Sequence, residues 1–72
     1  MTQMDKIEGL RAIAQVIQAM GWDAMAEQFL LEPEHRVRIV NGATNIIAKK
    51  DSLAAQNFRR NAAKFVEGVS AA

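Results

Sequence analysis

Residues 3–20, with the sequence QMDKIEGLRAIAQVIQAM, are the stretch that decides the fold class. Large apolar residues recur there at helical spacing and do not alternate as they would in a strand. The apolar stripe consists of Ile7, Leu10, Ala14 and Ile17, widened by Ile13, Val16 and Met20. The pattern predicts an amphipathic helix over residues 3–20, with Thr2 and Asp5 as a capping pair at its start and Gly21 at its end.

The segment after Gly21 predicts a shorter helix over residues 23–31. Asp23 has a side chain that is preferred at a helix N-cap, and the residue before Pro33 avoids the helical conformation. The apolar face consists of Met25, Ala26, Phe29 and Leu30. Trp22 precedes the cap, where a large apolar residue often packs onto the first turns of the helix.

Residues 52–67 predict a further helix, because their apolar residues are separated by three or four positions. The stripe consists of Ala54, Phe58, Ala62, Phe65 and Val69. Asp51 or Ser52 is the expected N-cap, and Gly68 is suited to the end of the helix.

Two structures are consistent with residues 34–50. Asn41-Gly42 is a strong β-hairpin turn signal, and the alternating residues before it predict a short hairpin over residues 36–48. Alternatively, Pro33 suits the first position of a helix, and the apolar residues that follow it also have helical spacing. An isolated hairpin has little stability of its own, so we favour a helix over residues 34–49.

Together these segments predict an all-α fold, a compact domain of three to four helices that spans residues 1–72. The expected core consists of Ile7, Leu10, Ile13, Ile17, Phe29, Val40, Ile47, Phe58 and Phe65. A chain this short buries a modest share of its surface, and the absence of cysteine excludes disulfide bonds. Because half of the residues are hydrophobic, we expect some apolar surface to remain for self-association or a partner.

The sequence contains no run of about 18 apolar residues, so no membrane span and no membrane role are predicted. Its first residues lack the basic and apolar regions of a secretory signal. A cytoplasmic location is the expectation that remains.

Charge is unevenly distributed along the chain. Residues 1–34 contain two basic and six acidic side chains, a net charge of −4, and residues 35–72 contain seven basic and two acidic side chains, a net charge of +5. The simpler explanation is that the two halves attract each other within the fold. The alternative is a charged partner or head-to-tail self-association.

Few side chains in this sequence are suited to catalysis. It has one histidine, no cysteine and no tyrosine, and its four glycines are too far apart for a phosphate-binding loop. We therefore expect no enzymatic activity and no cofactor. Glu32 and His35 have the Glu-x-x-His spacing of metal-binding helices, but Pro33 lies between them at a helix boundary, so no metal site is predicted.

Aromatic and arginine side chains predominate in the residues that contribute most to protein interfaces, and methionine is common at adaptable recognition surfaces. The candidate partner-binding residues are Trp22, Met25, Arg36, Arg38, Arg59 and Arg60. For Trp22 and Met25 the alternative is a place in the core, which we favour.

Residues 56–64 indicate an alternative function. Amide and arginine side chains pair with base edges, and basic side chains contact phosphates, so the helix over residues 52–67 is suited to a DNA major groove. The candidate nucleic-acid contacts are Gln56, Asn57, Arg60, Asn61 and Lys64. Against this, the sequence pI of about 8.2 is low for a nucleic-acid binder, and the acidic first half repels phosphate.

The leading prediction is a non-enzymatic accessory or inhibitor that binds a protein partner, itself included, and forms homo-oligomers. Short chains without catalytic groups are often accessories of phage or bacterial systems, and this general tendency is the whole basis for expecting that setting. The alternative is a small DNA-binding regulator that uses the polar and basic face of the helix over residues 52–67.

Overall fold

The apolar stripes of the sequence become α-helices in the computed structural model, which describes residues 3–70. The helices are α1 (Gln3–Ala19), α2 (Asp23–Leu31), α3 (Arg36–Ala48) and α4 (Ser52–Ala63), and a 3-10 helix, Pro33–His35, precedes α3. No strand occurs among the described residues. The predicted all-α fold is confirmed, and a helix replaces the hairpin considered for residues 36–48.

Short turns pair the helices into two hairpins, α1 with α2 and α3 with α4. Helix α1 also contacts α4, and α2 contacts α3, so the two hairpins pack against each other as layers. All four helices contribute side chains to one buried core. Within residues 3–70, no helix has the length and apolar character needed to cross a membrane.

The core contains most of the residues predicted for it. The confirmed core residues are Leu10, Ile13, Ile17, Phe29, Val40 and Phe58. Three others are less buried than predicted: Ile7 is 39% exposed, and Ile47 and Phe65 are partly buried. Ile7 remains exposed because it lies at the edge of the α1 stripe, beside Leu30 in the last turn of α2.

Helix α3 contains the Asn41-Gly42 pair despite the preference of this pair for turns. Burial of Ile39, Val40 and Ala43 on the inner face outweighs the cost of a helical glycine, which is about 1 kcal/mol. The ring of Trp22 lies against Gly42, at 3.4 Å from the position that a Cβ would occupy. The close neighbour of Gly42 is therefore the tryptophan side chain of the turn between α1 and α2.

Helix α4 ends at Ala63 and not at residue 67 as predicted. Tight turns follow, in which the backbone N–H groups of Phe65 and Val66 both donate to the carbonyl oxygen of Ala62. These turns place the Phe65 ring on Gly9 of α1, so closely that a Cβ at position 9 would overlap it. The apolar stripe thus continues past the helix because residues in the turns also pack against the core.

The turn between α1 and α2 agrees with the prediction at Gly21 but not at the cap. Gly21 has a φ of 90°, the left-handed conformation expected at a helix end. Asp23 is the first residue of α2, and Trp22 occupies the N-cap position without a side-chain hydrogen bond. The Asp23 carboxylate therefore lies in the first turn of α2, where its negative charge interacts favourably with the helix dipole. The predicted pairing of Thr2 with Asp5 lies outside the described residues, because it involves Thr2.

Asp51 is the N-cap of α4, as predicted. Its Oδ1 accepts hydrogen bonds of 3.1 Å from the backbone N–H groups of Leu53 and Ala54.

We expect Asp51→Ala to lower the free energy of unfolding by about 1 kcal/mol, because both N–H groups lose this acceptor. Asp51→Asn retains an acceptor and should unfold near the wild-type midpoint in urea. Equal losses for the two variants would contradict a capping role.

Candidate functional site

Two adjoining depressions lie along the α1–α2 hairpin, and we call them together the α1–α2 groove. They share Arg11 and Leu30. Two small buried residues, Ala14 and Ala26, belong to its lining. The other lining residues are Ile7, Leu10, Gln15, Gln18, Asp23, Glu27 and Arg36. Because small residues at a helix contact shorten the interaxial distance, another helix could approach this hairpin closely.

One end of the α1–α2 groove is apolar. Ile7 and Leu30, each 39% exposed, line the same depression. Met4 precedes Ile7 by about one helical turn, Leu31 follows Leu30, and both are exposed. Sequence reasoning placed Ile7 in the core, and only the pairing of α1 with α2 reveals that it adjoins Leu30. Clustered apolar side chains at a surface are typical of an interaction site.

The middle of the α1–α2 groove is charged. Arg11 on α1 and Glu27 on α2 line it from opposite helices, and both side chains are exposed. In the part of the chain that the structure describes, they form neither an ion pair with each other nor a hydrogen bond with another residue. Each charge is therefore available to an opposing surface.

Two of the predicted partner-binding residues are engaged within the chain. Arg36 Nε donates to the Phe29 carbonyl oxygen at 2.7 Å, and Arg36 Nη2 donates to the Leu30 carbonyl oxygen at 3.0 Å. Arg38 Nη2 donates to Gln28 Oε1 at 3.0 Å. The last carbonyl groups of a helix lack partners within it, so Arg36 stabilises the end of α2. A role for either arginine in binding a partner stays a prediction.

Trp22 and Met25 pack against the buried core and are themselves partly buried. Trp22 also covers Gly42 of α3. These contacts favour the core role that we preferred for both residues from the sequence.

The structure brings Glu32, Glu34 and His35 together, with one potential ligand atom from each within 4.8 Å of the others. We expected Pro33 to separate Glu32 from His35, and this was wrong. In a 3-10 helix, residues i and i+3 lie on one side, and Glu32 Oε1 is 3.5 Å from His35 Nε2. Arg38 Nη2 lies 3.1 Å from His35 Nδ1 and places a positive charge beside the cluster. That charge disfavours a cation at this cluster, and the absence of a metal site stays a prediction.

The outward side of α4, which we call the α4 face, displays all five predicted nucleic-acid contacts. The exposed side chains are Gln56, Asn57, Arg60, Asn61 and Lys64. Within residues 3–70, none of these side chains has a hydrogen-bond partner. Leu53, 65% exposed, precedes Gln56 on the same face, and the sequence interpretation did not consider it.

A second groove lies between α3 and α4, and we call it the α3–α4 groove. It has a volume of about 380 Å³. Its lining consists of Thr44, Asn45, Ala48, Ser52, Ala55, Gln56, Arg59 and Arg60, with no carboxylate among them. Arg59 Nε is buried and has no hydrogen-bond acceptor in the described residues. Sequence reasoning missed Asn45, because the register between α3 and α4 could not be predicted.

Within residues 3–70, ion pairs do not offset the charges of Glu8, Asp23 and Glu27. Glu32 Oε1 lies 3.5 Å from His35 Nε2 of the 3-10 helix, a contact that is an ion pair only when the imidazole is protonated. In the same described residues, no ion pair joins Glu8, Asp23 or Glu27 of the first hairpin to α3 or α4. Attraction through direct ion pairs, the simpler explanation from the sequence, is therefore not seen for these residues.

Known proteins offer no guide to this site: no family model, no curated protein and no solved structure matches the chain significantly. The fold defines the class of the protein as a small all-α protein of two packed helical hairpins. Inference about function therefore depends on the two grooves and the α4 face.

Proposed function

We propose that this chain is a non-enzymatic assembly accessory that self-associates through the α1–α2 groove. The observation that supports this most strongly is that the two adjoining depressions of the groove combine an apolar end with the unpaired charges of Arg11 and Glu27. Its occupant is the same hairpin of a second copy, because the two walls of the groove are complementary to each other.

A two-fold axis along the groove would place α1 of one copy over α2 of the other. Ile7 and Leu30 line the groove at the same level, so Ile7 of each copy would meet Leu30 of the other. One helical turn further along, Arg11 of each copy would meet Glu27 of the other. Two-fold symmetry repeats both contacts, as is usual in an isologous dimer.

The opposite orientation is less favourable. With the copies antiparallel, the apolar end at Ile7 and Leu30 would face the polar end at Gln18 and Asp23. Burying polar side chains against apolar ones leaves their hydrogen-bonding groups without partners. The pattern of apolar and charged residues therefore selects the parallel arrangement.

A stable dimer would bury a substantial share of the surface of a chain this small. The chain exposes 4825 Å², and a specific interface takes about 800 Å² from each partner, roughly one sixth of that surface. Apolar contacts at the Ile7 end would supply most of the attraction, at about 25 cal/mol per Å². The charged pairs would determine the orientation and disfavour wrong partners.

A charge-swap experiment tests the proposal. In Arg11→Glu a glutamate faces Glu27 at each of the two contacts, and in Glu27→Arg an arginine faces Arg11 at each of them. Each altered pair should cost about 1 kcal/mol and occurs twice, so either variant should weaken the dimer about 30-fold. An equimolar mixture of the two variants should form a dimer of nearly wild-type affinity, because both cross-pairs are again of opposite charge. Analytical ultracentrifugation over a concentration series measures each dissociation constant.

Both substituted residues are exposed, so the variants should fold normally. Lys49→Glu is the matched control: it reverses an exposed charge outside the groove and should leave the dimer unchanged. A wild-type chain that remains monomeric at about 1 mM, the weak limit of specific affinity, would contradict self-association. A dimer that is insensitive to both swaps would place its interface elsewhere.

A further inference from the structure

We infer that the α3–α4 groove binds a backbone phosphate of duplex DNA, with the adjoining α4 face directed into the major groove. The inference is independent of self-association, because the α3–α4 groove and the α1–α2 groove share no residue. Both surfaces can therefore be occupied at the same time.

The chemistry of the α3–α4 groove favours an oxyanion. Arg59 and Arg60 supply guanidinium groups, Asn45 and Gln56 supply amide donors, and no carboxylate opposes them in the lining. The buried Arg59 Nε has no acceptor among residues 3–70. The terminal guanidinium nitrogens of Arg59 and Arg60 are the donors that can form charge-assisted hydrogen bonds with a phosphate in the groove.

Continuity with the α4 face points to nucleic acid as the source of the phosphate. Gln56 and Arg60 belong to both surfaces. Helix α4 has 12 residues, a length of about 18 Å, and the major groove of B-DNA is about 12 Å wide and admits one helix. Amide side chains on that helix pair with base edges while the arginines contact the backbone.

The acidic first half of the chain does not prevent this mode of binding. The α4 face is directed away from the core, which α4 contacts through Ala55, Phe58 and Ala62. The shortest extent of the molecule is 18 Å, which exceeds the Debye length of about 10 Å at 0.1 M salt. Salt therefore screens much of the repulsion between DNA and acidic groups on the far side of the molecule.

Fluorescence anisotropy with a labelled 20-base-pair duplex tests the inference. Each phosphate contact predicts an affinity that falls about 3.5-fold between 50 and 200 mM NaCl. Arg60→Gln should weaken binding about tenfold and reduce the salt slope by about one. Asn45→Asp introduces a carboxylate into the groove and should abolish the anisotropy change. Asn41→Asp makes the same change on the same helix outside the groove and should retain most of the binding.

Arg59→Lys keeps the charge but loses the planar donor group, so it should weaken binding with little change in the salt slope. Circular dichroism of every variant establishes that it is folded. Absence of duplex binding at 50 mM NaCl would overturn the inference, and so would equal effects of Asn45→Asp and Asn41→Asp. Binding of a poly-glutamate peptide in place of the duplex would likewise overturn it, because an acidic protein would then be the occupant.

Discussion

Phe29→Ala should lower the free energy of unfolding by about 3–5 kcal/mol, a large part of the protein's total stability. Phe29 has no exposed surface and lies at the centre of the core shared by all four helices. Removing a buried phenylalanine side chain costs about 3–5 kcal/mol, and a chain of this length has a total stability of roughly 4–11 kcal/mol. The ring also lies under Arg36, whose guanidinium carbon is 5.6 Å from the ring centroid, so the end of α2 would lose this contact too.

Urea denaturation followed by circular dichroism measures the loss in free energy of unfolding. Leu31→Ala is the matched control, because Leu31 is 71% exposed and lies two residues further along the same helix. The control should change stability by no more than about 0.5 kcal/mol. A small effect of Phe29→Ala, similar to that of the control, would contradict the position of Phe29 in the core.

Gly9→Ala should destabilise the protein although it replaces glycine by the best helix former. A Cβ at this position of α1 would overlap the Phe65 ring, which must then move away from the helix. Overpacking of this kind typically costs about 1–3 kcal/mol, whereas the alanine gains about 1 kcal/mol in helix propensity. We therefore expect a net loss of up to about 2 kcal/mol in the free energy of unfolding.

A double-mutant cycle separates the two effects. In a Phe65→Ala background the overlap is removed, so Gly9→Ala should become stabilising by up to about 1 kcal/mol. The change of sign between the two backgrounds is the expected result, measured by urea denaturation of all four proteins. A Gly9→Ala effect of the same sign and size in both backgrounds would show that the Phe65 ring does not lie on Gly9.

Helical periodicity in the sequence was sufficient to predict where three of the four helices lie. The boundaries of α2 were correct, because Pro33 restricts the residue before it and ends the helix. The boundary of α4 was wrong because apolar spacing continues through Phe65, and spacing alone does not distinguish a helix from the turns that follow it. The helical conformation of Asn41-Gly42 depends on burial of α3 by the other helices. The local sequence gives no information about that burial.

The candidate surfaces were predictable only in part. Residues on one face of one helix, such as Gln56 and Arg60, follow from the helical period and were predicted together. Residues brought together by two helices were not: Asn45 beside Arg59, and Ile7 beside Leu30, depend on how neighbouring helices align. Internal hydrogen bonds also changed the interpretation of Arg36, whose guanidinium group holds the end of α2.

The contact between Phe65 and Gly9 has a consequence for protein synthesis. During translation, Gly9 is synthesised 56 positions before Phe65. The surface of α1 that receives the Phe65 ring is therefore made long before that ring. Until then, the corresponding surface of α1 stays exposed on the nascent chain, where it is accessible to chaperones and to other nascent chains. Closing so long a loop costs entropy before the contact forms, so completion of this part of the core should come late in folding.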